Sequence, residues 1–330
     1  MSVSLASFPE ELLERILFDA VVGPAHTHPR APWHRDHAAS QSSATRGRLA
    51  PLLVCRAFNR IALPLFYDTL VLHSPSQSAA CLKALQGQPH LVRSIRTLVL
   101  PAPSAADAAI LALLLSSCAG ACNTRCSAAC GLRALDITLP SSPVGELPEV
   151  LRQLRGLHSL SIRKPTGTYL STVSARAVLA ALADVVASSP LSTAHTSFPL
   201  SSDPALGPLV AALASAPRLT ALRTPVPALW GPALPTIAAN SSLVRISLGD
   251  EPQPSSPHTY EHGRSFSRPL LGTSLFLAEA RKHTRLADLI RAGTAVIGWR
   301  GRAWTMASGP SAPAEQQLAA QQVHAHGGRC

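Results

Sequence analysis

Four cysteines, Cys118, Cys122, Cys126 and Cys130, recur every four residues, and four thiolates in one place are a zinc-binding set. Structural zinc sites usually pair their cysteines two to four residues apart on separate knuckles, which an even ladder does not do. The ladder reads more simply as a low-complexity insertion ahead of a strand at Leu132, so these four are weak metal candidates. His26, His28, His34 and His37 form a second cluster, in a Pro- and Ser-rich stretch that lacks the ordered second shell a ligating imidazole needs. No Gly-x-Gly-x-x-Gly, P-loop, Gly-x-Ser-x-Gly or His-Glu-x-x-His occurs. The expectation is a chain that is not an enzyme and carries no cofactor. Asn240-Ser241-Ser242 fits a glycosylation acceptor, which an intracellular chain leaves idle.

Composition bounds the partners. The chain has 330 residues and a formal charge of +11, which raises nucleic acid as a partner. Only Lys83, Lys164 and Lys282 are lysines, and the arginines are scattered singly, so no basic stripe forms and no nucleic-acid partner is expected. Arg163 and Arg223 fall at or near strand ends with the charge to read a phosphate; the plainer reading is that both are solvated. Glu10, Glu11 and Glu14 interrupt the start where a secretory signal would be apolar. The uncharged stretch from Ala108 to Thr124 is too short and too polar to span a bilayer. No membrane partner is expected, the location reads as intracellular (cytoplasmic, nuclear or both), and the seven cysteines should be mostly reduced.

The elements that would position any site begin with a helix over Ser7–Val21. Pro9 suits a first helical position, and Glu10 and Glu11 suit the positive end of the helix dipole. Ser7 and Phe8 are alternative caps. Leu12, Leu13, Ile16 and Leu17 repeat at helical spacing. A His-, Pro- and Ser-rich loop, expected to be disordered, covers about 23–48. A second helix reads from Leu49 to Tyr67, with Leu52, Leu53, Phe58, Ile61 and Ala62 apolar and Pro64 placed to end or kink it.

These two segments resemble the F-box family. Its Leu-Pro-x-Glu-[Leu/Ile]-Leu helix is matched by Phe8-Pro9-x-Glu11-Leu12-Leu13 with Ile16. Its Val-Cys-Arg-x-[Phe/Trp] helix is matched by Val54-Cys55-Arg56-Ala57-Phe58 with Ile61 and Ala62, followed by a segment like that of many fungal members. The loop between them is longer than the family's usual one. The resemblance implies a three-helix module over residues 1–70 that binds the Skp-type adaptor of a cullin–RING (SCF-type) ubiquitin ligase. Candidate contacts are Pro9, Leu12, Leu13, Ile16, Leu53, Val54, Cys55 and Phe58. A module this small leaves some apolar residues over for a partner, and sequence does not divide the eight between core and interface. Cys55 reads as a small buried hydrophobe.

Over residues 71–250 a helix, a turn and a short Leu-x-x-Leu-x-[Leu/Ile] strand recur six times. Aligning Leu98, Leu135, Leu160, Ala194, Leu222 and Ile246 gives steps of 37, 25, 34, 28 and 24 residues, partly in the range of leucine-rich repeats. One such unit cannot bury its own apolar face, whereas stacked units can. The expected fold class is α/β: the helical F-box module followed by an irregular leucine-rich-repeat-like solenoid, with a compact sheet domain as the alternative. Residues 251–306 read as a Pro-rich loop and a C-terminal cap with Leu275, Leu277, Leu286, Leu289 and Ile290 facing inward, and 307–330 as a disordered tail. The function expected from these parts is a substrate-recognition adaptor with an unidentified protein target. The alternative is a repeat scaffold with no ligase link.

Overall fold

The computed structural model describes residues 9–21, 49–119, 131–165, 167, 169–249, 271–294, 296–297 and 305–306. The loop 23–48, residues 250–270 and the tail from 307 lie outside the described residues, as do the expectations placed on them.

Helix α1 (Glu10–Val21) carries Leu13, Leu17 and Val21 on one face, four residues apart, and all three are buried. They pack on Ile61 and Ala62 of α2 (Arg56–Asp68), with Leu52, Phe58, Leu65 and Phe66 around them. The carbonyl of Pro9 accepts from the amides of Leu12 and Leu13, so Pro9 occupies the cap position and Glu10 opens the helix. Arg60 pairs with Glu10 at 2.7 Å across the two helices, but both side chains are more than half exposed, so the pair contributes little.

The second helix departs from expectation in two ways. It is divided into a 3-10 turn (Ala50–Leu53) and α2, because Cys55 takes an extended backbone (φ −160°, ψ 171°) and caps α2, its Sγ accepting from the amide of Phe58 at 3.5 Å. Pro64 does not end α2, which runs on to Asp68. Packing on both sides outweighs the lost bond: Ile61, Ala62, Leu65 and Phe66 face the small N-terminal core, and Leu63 and Tyr67 face the main one.

The main body is α/β. Strands β1 (Thr69–Val71), β2 (Thr97–Leu100), β3 (Ala134–Thr138), β4 (Ser159–Arg163), β5 (Thr193–Thr196), β6 (Ala221–Thr224) and β7 (Arg245–Leu248) form one parallel sheet in sequential order. Strand β1 had no counterpart among the six units. The aligned residues Leu98, Leu135, Leu160, Ala194, Leu222 and Ile246 are Cα partners at every step, and Leu70 extends the row. Insertions that change the repeat length therefore fall in the connections, and the strand register is kept.

Parallel neighbours need long crossovers, and helices supply them. These are α3 (Pro75–Gly87) with the short α4 (Pro89–Val92), α5 (Ala105–Ala119), α6 (Leu147–Arg152), α7 (Val173–Ser188), α8 (Gly207–Ser215, led in by a 3-10 turn at Pro204–Leu206) and α9 (Ala233–Ala238). Each packs on the next in chain order, which places them in one layer. Burial in the strands alternates accordingly: Leu160 and Ile162, Ala194 and Thr196, Leu222 and Thr224, and Ile246 and Leu248 face the helices. A backbone motif repeats at five strand starts. The carbonyls of Arg96, Arg133, His158, Ser192 and Thr220 each accept from two successive amides of the following unit, at 2.7–3.1 Å.

Helix α11 (Thr284–Gly293) closes the β7 edge, and α10 (Leu271–Ala280) packs on α11. Ser247 Oγ donates to the carbonyl of Gly293 (2.7 Å), and the Leu248 amide donates to Thr294 Oγ1 (2.9 Å), an outward group of an edge strand that would otherwise lack a partner. Leu286, Leu289 and Ile290 face inward as expected, and Leu277 is partly buried. Leu275 does not face inward: it is exposed, and its neighbour Phe276 is buried against Trp230. A one-residue rotation of the α10 stripe accounts for the difference. Strands β8 (Val296–Ile297) and β9 (Thr305–Met306) pair antiparallel.

Candidate interaction surfaces

The eight N-terminal candidates divide into two groups. Leu13 is buried and Phe58 is half-buried against the small core, so both hold α1 on α2. Pro9, Leu12, Ile16, Leu53, Val54 and Cys55 are exposed. Leu12 and Ile16 lie one turn apart on the outer face of α1 at 49% and 56% exposure, and Leu53 and Val54 stand at 85% and 59% on the turn before α2. Exposed large apolar side chains also occur further along the chain, at Tyr169, Val173, Leu229, Trp230, Val244 and Leu275, but the N-terminal helices carry four aliphatic ones within a small module. Cys55 is exposed rather than buried, because its role as helix cap leaves it at the surface.

A second surface is the sheet face away from the helices, legible in the sequence only as the polar half of each strand's alternation. Its central row runs Val99, Asp136, Ser161, His195, Arg223 and Ser247. Asp136 Oδ1 accepts from Arg163 Nε at 2.9 Å, with both side chains nearly covered. Arg163 is therefore ion-paired with Asp136 rather than solvated. Ser161 Oγ and His195 Nδ1 share a hydrogen bond of 3.2 Å. Exposure on this face rises along the sheet, from Val99 at 5% and Asp136 at 8% to the exposed Arg223 and Arg245.

Of the cysteine ladder, the structure describes only the backbone of Cys118, in the last turn of α5; Cys122, Cys126 and Cys130 lie outside the described residues, as do the four clustered histidines. Among the described residues no three His, Cys, Asp or Glu side chains come together as a metal site. No helix among them is long and apolar enough to cross a membrane. Asn240 of the apparent glycosylation triplet is buried and its amide is used internally, donating to the carbonyls of Leu213 (3.0 Å) and Ala216 (2.8 Å). That engagement closes the acceptor in the folded chain.

Two thiols are described, and they differ in environment. Burial pushes the Cys81 thiol up to about 11, and the nearby carboxylate of Asp107 adds to the effect. Asp107 is itself buried, its Oδ2 accepting from the amide (2.7 Å) and hydroxyl (2.8 Å) of Ser104 at the start of α5. A rise from 9.0 to about 11 lowers the thiolate fraction at neutral pH about a hundredfold. In the native protein, iodoacetamide should therefore modify the exposed Cys55 quickly and the half-buried Cys81 far more slowly. The Cys81 rate should climb until pH approaches 11. Residue-resolved mass spectrometry checks this, and equal rates would contradict it.

No family model matches this chain, and no curated protein matches it.

Proposed function

We propose that this chain is a substrate-recognition adaptor of a cullin–RING, SCF-type ubiquitin ligase and not an enzyme, acting inside the cell. Its N-terminal helices dock on the Skp-type subunit, and the helix–strand array, an irregular leucine-rich-repeat-like solenoid, presents a protein target. The observation that carries the reading is the division of the α1 stripe. Leu13, Leu17 and Val21 satisfy the module's own core, yet Leu12 and Ile16 remain outside it, with Leu53 and Val54 exposed on the following turn. These residues stand within the segments that resemble an F-box. An aliphatic surface of this kind stabilises a complex by filling a partner's groove. The sequential parallel order and the backbone motif repeated at five strand starts support the solenoid reading. Such an adaptor needs no catalytic side chain, because it accelerates transfer by holding target and ligase together.

A specific observation favours a second reading, an interaction scaffold with no ligase link. Helix α2 contributes to both cores, so the N-terminal helices also cover the β1 end of the array. The two readings differ in whether Leu12 and Ile16 touch another protein. Co-expression with a Skp-type subunit followed by pull-down separates them.

A further inference from the structure

We infer that the open face of β5, β6 and β7 binds an acidic peptide segment in extended conformation, with Arg223 and Arg245 taking carboxylates at alternate peptide positions. Both side chains are exposed on the face away from the helices, at the third residue of β6 and the first of β7. Among the described residues neither makes a hydrogen bond or an ion pair. Strands β5, β6 and β7 carry no acidic residue, and the one carboxylate in the central row, Asp136, is held by Arg163 two strands from Arg223. The positive charge of this half of the face is therefore not balanced by its own strands.

Spacing fits the occupant. Ser247 is the Cα partner of Arg223, and Ala221 that of Arg245, so the two arginines are diagonal neighbours on adjacent strands. Diagonal positions on a sheet are about 7–8 Å apart. Alternate side chains of an extended peptide, all on one side, repeat at about 6.6–6.8 Å. Two acidic residues separated by one can thus meet both guanidinium groups, each a forked donor for a carboxylate. Ser161, His195 and Thr193 border the pair with small or polar groups. A nucleic-acid strand fits less well, because single strands bind by stacking bases on aromatic side chains, and no Phe, Tyr or Trp stands on β3–β7.

This inference rests on the array being the target-holding surface and deepens that reading; docking of the N-terminal helices is scored separately, so failure of one does not imitate failure of the other. The probe is a short fluorescein-labelled peptide alternating Glu and Ser, titrated into the full chain at about 0.15 M salt. Wild type should bind it saturably, and R223E/R245E should weaken binding about tenfold or more. The pair R93E/R176E, which changes the net charge equally at exposed sites outside the strands, should keep binding within about twofold. Circular dichroism verifies folding, and R223Q/R245Q serves if the charge-reversed pair does not fold. Absence of saturable binding by wild type, equal loss in both pairs, or tighter binding of a thymidine oligonucleotide of equal charge would each overturn the inference. Capture of the Skp-type subunit, measured on the same variants, should not change.

Discussion

Gly293→Ala is expected to cost about 3 kcal/mol of folding stability, near the upper end of what one added methyl group does in a packed interior. A Cβ at this position would stand 2.4 Å from the carbonyl oxygen of Ile246, 2.5 Å from its carbon and 2.8 Å from its nitrogen. All three are backbone atoms of β7, so no side chain can rotate out of the way. Relief requires α11 to move off the strand, which also lengthens the Ser247 to Gly293 bond and the Leu248 to Thr294 bond. Urea denaturation followed by circular dichroism should show the shift. Gly207→Ala is the control: a Cβ there meets nothing within 4 Å, and the change should be neutral or stabilising by up to about 1 kcal/mol. A variant with α11 displaced also exposes the β7 edge, so G293A should self-associate on size exclusion where wild type does not. Equal stability of the two variants would remove α11 from its place against β7.

Asn240→Ala should have a comparable effect. The buried amide donates to the carbonyls of Leu213 and Ala216 at the end of α8 and accepts from the amide of Ser242. Truncation takes a donor from two buried carbonyls and the acceptor from the part-buried Ser242 amide, at about 1–3 kcal/mol for each group left unpaired, partly offset by relaxation and by the Leu219 amide at Ala216, for an expected total of about 2–4 kcal/mol. Asn240→Asp should be at least as damaging, because it removes both donors and turns a negative charge toward two carbonyl oxygens. The same denaturation experiment tests both. A loss under about 0.5 kcal/mol would mean that the bond set does not tie the α9–β7 turn to the preceding unit.

The body was legible from the sequence because one face of each strand is buried. Leu98, Leu135, Leu160, Leu222 and Ile246 stand in register, and even the weak strand around Ala194 keeps the row, since a one-residue slip would turn its apolar side to solvent. Strand β1 was missed because Thr69–Val71 is short and follows a helix without a turn. Of the two outcomes expected at Pro64, an end to the helix does not occur, because propensity is local whereas α2 is held by two cores. The candidate site was legible in residue type but not in orientation. The α1 stripe is wider than one packing face, and only the position of α2 decides that Leu13 and Leu17 go in while Leu12 and Ile16 stay out. Cys55 was misjudged because its sulfur caps a helix rather than filling a core. The open sheet face was not singled out, since its residues are ordinary polar groups until the pairing sets them side by side.

The most direct test of the adaptor reading is co-purification of the full chain with a Skp-type subunit, comparing wild type with Leu12→Asp/Ile16→Asp. Both positions are exposed, so the substitutions leave the small core in place, unlike any change at the buried Leu13. Wild type should form a stable complex, and the folded double variant, checked by its urea midpoint, should capture at least about tenfold less. A folded wild type that captures none, or a folded double variant that captures as much as wild type, would contradict the adaptor reading.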